Sequence, residues 1–351
     1  MLITQDARNK SMTLGTCHAL VSSKRSSQNI IPMTISVPES VPDGCVQHAR
    51  RWCLLSVFCK VLAVWCCCAS TVWCQSERSQ HLALQNRCYA CASLTLPTNP
   101  VQVRVAAASD LKFVMPELVR AFEAANPTVR VTVVYGSSGN FCAQLKAGAP
   151  FDAFFSADVS YARELFAAGL TTTKPQQYAL GRLVLWTTKH SGIDLRDGLA
   201  VLRKPHIQRI AIANPTHAPY GKRAQEALQR SAPVTLADGT STTLWNAVRS
   251  AIVFADNIAQ AAQYAQTGDA QVALLSLSLA LAPALSEHGV YALVDSALHE
   301  PLEQAFVVMQ PKKPSISAAE RKRACEQFCA FVLTAPAQRI LRRFGFSLPV
   351  P

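Results

Sequence analysis

The chain has 351 residues, half of them hydrophobic and only 16% charged, with a formal net charge of +12. This composition excludes a disordered polymer and is enough for the core of two domains or of one large bilobal unit. The positive charge raises nucleic acid as a partner, but Lys and Arg are spread along the chain without a zinc-finger spacing or an RNA-binding signature. No nucleic acid is therefore expected, and a small anion suits the serines and glycines that cluster at helix starts.

Residues 1–100 form a leader without convincing periodicity, rich in Ser, Thr, Gln and Pro. Within it, the positive charge of Arg50 and Arg51 precedes an apolar stretch over residues 52–73, interrupted by Lys60. The leader is read as an export signal near 50–73 followed by a linker, with an uncleaved membrane anchor as the alternative. A start at Met33 brings the signal closer to its usual place. Ten of the 13 cysteines lie in this leader, which is not the distribution of a disulfide scaffold. Cys88-Tyr-Ala-Cys91 has a redox or metal spacing but lacks a second pair, and reads as incidental. Cys325 and Cys329 are four apart on an expected helix, a spacing that packs both on one face.

From residue 101 the pattern becomes regular. Strands are expected over 101–107, 129–135, 153–156, 183–187, 209–213 and 272–275. Helices are expected over 111–126, 140–147 and 159–168, from Tyr220, from Ile258, and over 318–343 with a break at Pro336. Strands alternating with helices predict a parallel sheet covered on both faces.

Ligands of such sheets bind where a strand ends and the next helix begins. Two of these junctions carry hydroxyls: Ala106-Ala-Ala-Ser109-Asp110 and Tyr135-Gly-Ser-Ser-Gly139. Unpaired N–H groups and the positive end of the helix dipole make both natural anion cradles. Ser109 by itself is better explained as a helix cap, and Gly136-Ser-Ser-Gly139 by itself equally well as a turn; two such junctions on neighbouring strands favour the anion reading. Enzyme chemistry has less support. Ser138 is not in a Gly-x-Ser-x-Gly elbow, His217 has no placed acidic partner, Asp152 has no second carboxylate, and no nucleotide fingerprint is present. Neutral donors without an acid, base or nucleophile suit holding an anion, not transforming it.

Taken in order, these motifs resemble the periplasmic molybdate-binding proteins of bacterial ABC importers. The matching landmarks include Ala107-Ala-Ser-Asp-Leu111, Gly136-Ser-Ser-Gly139, Gly148-Ala-Pro-Phe-Asp152, Phe155-Ser-Ala-Asp158, Ala218-Pro-Tyr-Gly221, Asn257-Ile-Ala-Gln260 and Gly345-Phe346. The resemblance implies an α/β fold of the bilobal type II periplasmic-binding-protein class, two α/β lobes joined by a two-segment hinge. Lobe 1 is expected over 101–180 plus 296–351, and lobe 2 over 181–295. It further implies a monomeric, non-enzymatic protein of the periplasm that takes molybdate or tungstate to a membrane permease. No cofactor is implied, and no metal beyond the molybdenum of the oxyanion.

Carried over by position, Ser109 and Ser138 donate from lobe 1, Tyr220 from the Pro-Tyr-Gly turn, and Ile258 through its backbone N–H. Ser276 falls where some members have a Tyr, and Tyr220 is expected to compensate. Asp110 is expected to cap the first helix, its side chain turned away from the anion. The alternatives are a sulfate-type oxyanion-binding protein and the ligand-sensing domain of a transcription regulator. The latter needs a helix-turn-helix before residue 101.

Overall fold

The computed structural model describes residues 99–312 and 315–349. The leader, with its signal or anchor and its cysteine pair, lies outside the described residues.

The first sheet opens with β1 (Val101–Ala108), whose alternation gives way to alanines buried on both faces. That pattern suits a central strand, and β1 is flanked in parallel by β2 (Val129–Gly136) and β3 (Ala153–Ser156). Between these strands run α1 (Val114–Ala125) and α2 (Ser138–Lys146), and α3 (Val159–Ala167) follows β3. β4 (Gln176–Gly181) then forms an edge, and Arg182 alone separates it from β5 (Leu183–Thr188) in the second sheet.

The second sheet is built around β6 (Ile210–Ala213), β9 (Ile252–Ala255) and β10 (Val272–Ser276), which run parallel. α4 (Pro219–Arg230) follows β6, then a small hairpin of β7 (Val234–Thr235) and β8 (Ser241–Thr242) and the short α5 (Leu244–Ala247). α6 (Ile258–Thr267) joins β9 to β10. α7 (Leu277–Ala280) and α8 (Pro283–Ser286) lead to β11 (Gly289–Leu293). The chain returns to the first sheet as β12 (Leu302–Val308) and ends in α9 (Ile316–Val332) and α10 (Ala335–Arg343), with Pro336 in the first turn of α10.

The strand orders are β2-β1-β3-β12-β4 and β11-β5-β10-β6-β9. Both sheets are mixed, which corrects the expectation of a purely parallel sheet. β12 is antiparallel to β3 and β4, and β5 is antiparallel to β10 and β11. These two strands carry the chain from one sheet to the other without a crossover helix. They are therefore free of the constraint that keeps βαβ neighbours parallel. In the two five-stranded sheets, four strands escaped the apolar pattern: β4, β9, β11 and β12, which are either edges or interrupted by polar residues such as Gln304.

Each sheet has an apolar core of its own. One gathers Leu185, Trp186, Ile210, Ile212, Leu274 and Leu275, the other Val103, Val105, Met115, Phe122, Phe155 and Phe328. Cys325 and Cys329 are buried side by side in the latter, as their spacing predicts. Among the described residues no helix is long and apolar enough to cross a membrane.

Candidate functional site

Five chain segments converge between the sheets. The ends of β1, β2 and β3 contribute Ser109 and Asp110, Ser137 and Ser138, and Ala157. Opposite them stand Ala218, Pro219 and Tyr220 at the start of α4, and Ile258 at the start of α6. They surround a small cavity whose lining includes no Lys, Arg or His.

Three helices begin there, so their first N–H groups, which lack intrahelical acceptors, face a common space. In α2, the hydroxyl of Ser137 is the cap and accepts the Asn140 N–H. The neighbouring Ser138 is fully buried, and its Oγ accepts the Ala157 N–H at 3.0 Å. Its own proton is thereby left for a ligand. In α4, Pro219 occupies the first turn, where its missing N–H is no loss. Gly221 in the same turn lies against β6, where a Cβ would stand 1.9 Å from the Ala213 carbonyl oxygen, so only glycine admits so close an approach. In α6, Asn257 accepts the N–H groups of Ala259 and Gln260, and Ile258 is the first helical residue.

Of the five residues expected from sequence, Ser109, Ser138, Tyr220 and Ile258 all line this cavity. Ser276 does not. Its Oγ caps α7 by accepting the Leu279 N–H, and it lies 3.0 Å from the Ser278 Oγ.

Tyr220 also differs from expectation in the use of its hydroxyl. The phenol oxygen sits over Gly181 and accepts from Gln304 Nε2 at 3.3 Å, beside the Asp110 carboxyl. Its contribution to the cavity is the backbone at the helix start and the ring. Burial and the neighbouring Asp110 push its hydroxyl well above the usual phenol pKa, so it stays neutral.

Asp110 is not a cap. The short 3-10 turn Ser109–Leu111 has no side-chain cap, and the Asp110 carboxyl is turned inward, 1% exposed. Its Oδ2 accepts from Gln304 Nε2, and Tyr178 donates to Gln304 Oε1 at 2.6 Å. Burial raises the Asp110 carboxyl from 3.8 to about 6, against the lowering effect of the bonds from Gln304 and Tyr220.

The two lobes meet around the cavity through direct bonds. Gly139 N–H donates to the His217 carbonyl at 2.8 Å, and Ser137 Oγ lies 2.8 Å from His217 Nδ1. Ala259 N–H reaches Ser109 Oγ at 3.4 Å, and Ser278 Oγ donates to the Asp110 carbonyl at 2.8 Å. A buried ion pair joins Arg223 of α4 to Asp158, the cap of α3, at 3.2 Å, and Glu226 takes the other guanidinium nitrogen at 2.7 Å. Of these cross-lobe partners, Arg223, Glu226 and Ser278 were not singled out from sequence.

An enclosed cage of hydroxyls and amides, framed by three helix N-termini and without a cation, is suited to a small anion stripped of water, because each donor is strengthened once solvent is excluded.

The comparisons with known proteins agree with this geometry. The model of the bacterial extracellular solute-binding protein family matches residues 103–347. The molybdate-binding protein ModA of Azotobacter vinelandii is 29% identical over 256 residues, spanning 73% of this chain and 93% of its own. ModA of Rhodobacter capsulatus is 31% identical over 217 residues, 62% of this chain and 77% of its own. The solved structure of the Azotobacter vinelandii periplasmic molybdate-binding protein superposes with a TM-score of 0.60 at 28% identity, covering 71% of this chain and 100% of its own. The sulfate-binding protein SubI of Mycobacterium tuberculosis, at 16% identity and a TM-score of 0.55 over 72% of this chain and 88% of its own, shares the fold. The chain therefore belongs to the bacterial extracellular solute-binding protein family, alongside the ModA proteins.

Proposed function

We propose that this protein captures molybdate, or its near-isostere tungstate, outside the cytoplasm and delivers it to the membrane permease of an ABC importer. The observation that carries the reading is the cation-free cavity at the starts of α2, α4 and α6, with Ser109 and Ser138 among its donors. Neutral donors hold a dianion only in a closed, water-free site, so cage size becomes the discriminator against smaller oxyanions. The closed form presents the permease with a surface that the open form lacks, which couples capture to delivery. The protein acts as a monomer, reaches the periplasm through the apolar segment of its leader, and performs no chemistry on its ligand.

The test is thermal melting of the full-length chain, stripped of anions, with molybdate, tungstate, sulfate and phosphate. Binding to the folded state alone adds about 4 kcal/mol at a thousandfold excess over Kd. In a chain of this size that is a shift on the order of 10 °C. Shifts with molybdate and tungstate are expected, and Ser138→Ala should reduce both. A shift with sulfate alone moves the substrate to the sulfate class, and no shift with any oxyanion refutes the transport reading.

A further inference from the structure

Asp110 is the one charged residue lining the cavity, and a carboxylate beside a bound dianion opposes it strongly where water is excluded. The surrounding bonds divide the work of its two oxygens. Tyr178 donates to Gln304 Oε1, which turns the Gln304 amide nitrogen toward Asp110 and makes Oδ2 the accepting oxygen. Oδ1 is buried with no hydrogen-bond partner. Buried acceptors left in that condition are rare, and a proton converts such an oxygen into a donor.

We propose that the site takes up one proton with each oxyanion, held on Asp110 Oδ1, and that the resulting hydroxyl donates to an oxygen of the anion. The proton comes from solvent and returns there on release. This rests on the oxyanion reading above and deepens it: the ligand enters fully deprotonated, and Asp110 is neutral in the complex.

The surroundings support this charge state. The titratable groups that face Asp110 are Tyr178 from β4 and Tyr220 from α4, both held neutral by burial. β12 brings the amide of Gln304 and α7 the hydroxyl of Ser278, so no cation is placed to stabilise the carboxylate. Burial, outweighing the bonds from Gln304 and Tyr220 that lower it, already lifts the carboxyl to about 6, and a dianion alongside raises it further. Behind the cavity wall, His217 is bonded to Ser137, and the Arg223–Asp158 ion pair adjoins Ala157.

The experiment is calorimetric titration of the full-length chain with sodium molybdate at pH 6, 7 and 8, in buffers of different ionisation enthalpy. Proton uptake should rise toward one per molybdate at pH 8. By linkage from a carboxyl at about 6, Kd should weaken roughly fiftyfold between pH 6 and 8. In Asp110→Asn, both the uptake and the pH dependence should vanish. Should that variant not fold, the wild-type infrared difference spectrum decides, since molybdate must bring up a protonated-carboxyl band. Molybdate bound by the wild type without proton uptake overturns the proposal. Uptake that persists in Asp110→Asn overturns it as well and assigns the proton to His217. Failure to bind molybdate at any of the three pH values sinks the molybdate reading itself, a result distinct from binding without a proton.

Discussion

The ion pair between Arg223 and Asp158 joins the two lobes, and its side chains are only 8% and 10% exposed. Opening the cleft separates the pair and lets water solvate both charges, so its strength counts toward closure and not toward the folding of either lobe. Asp158→Asn is the informative substitution, because an asparagine still caps α3 through the bond now made by the Ser160 N–H to Asp158 Oδ1 at 2.8 Å. The amide nitrogen, however, offers no acceptor to Arg223 at the position of Oδ2. A hydrogen bond to a charged partner contributes about 1.5–3 kcal/mol, and since molybdate binds the closed form, Kd should weaken roughly ten- to hundredfold. The melting temperature of the ligand-free protein should move by no more than about 2 °C, the equivalent of at most about 1 kcal/mol. Titration calorimetry gives the first quantity and scanning calorimetry the second. The reasoning is refuted if Kd stays within about threefold of wild type, or if the ligand-free protein loses as much stability as the complex.

Two further outcomes follow from the same geometry. In Gly139→Ala, the new Cβ would lie 2.6 Å from the His217 carbonyl oxygen across the cleft, so full closure is blocked. Molybdate affinity should fall at least tenfold while the circular dichroism of the ligand-free protein is retained, and wild-type affinity contradicts this. The buried Asp110 carboxyl, at about 6 against 3.8 unfolded, holds a proton in the folded state that the unfolded chain has released. Its stabilising contribution is therefore complete below about pH 4 and is lost as pH rises toward about 6, a change of ~3 kcal/mol. Urea unfolding of wild type and Asp110→Asn from pH 4 to 7 should show the difference between them growing in favour of the variant by most of that amount. A difference independent of pH would show that the carboxyl titrates normally.

Much of this protein is legible in its sequence, because local chemistry sets it. The start of α2 follows from Gly136-Ser-Ser-Gly139, that of α4 from Pro219, and that of α6 from Asn257, each a cap or first-turn residue acting within its own turn. The junctions that carry Ser109 and Ser138 are helix starts legible in the residues themselves, Tyr220 and Ile258 were added by the family resemblance, and the structure brings all four to one cavity. Cys325 and Cys329 likewise needed only the helical period to be placed together in the core.

What the sequence left open depends on pairings distant along the chain. Asp110, Tyr178, Tyr220 and Gln304 come from four separate elements, and they meet because β12 inserts antiparallel between β3 and β4. No local period encodes that insertion. It turned the expected cap at Asp110 into a buried carboxyl with one unpartnered oxygen, and it drew the Tyr220 hydroxyl toward the hinge. Ser276 does end a strand, β10, where alignment put it, but only the fold shows that its hydroxyl caps α7 and lies outside the cavity lining. Helix starts are decided within a few residues, whereas the charge state and closure of the site are decided by which distant side chains exclude water together.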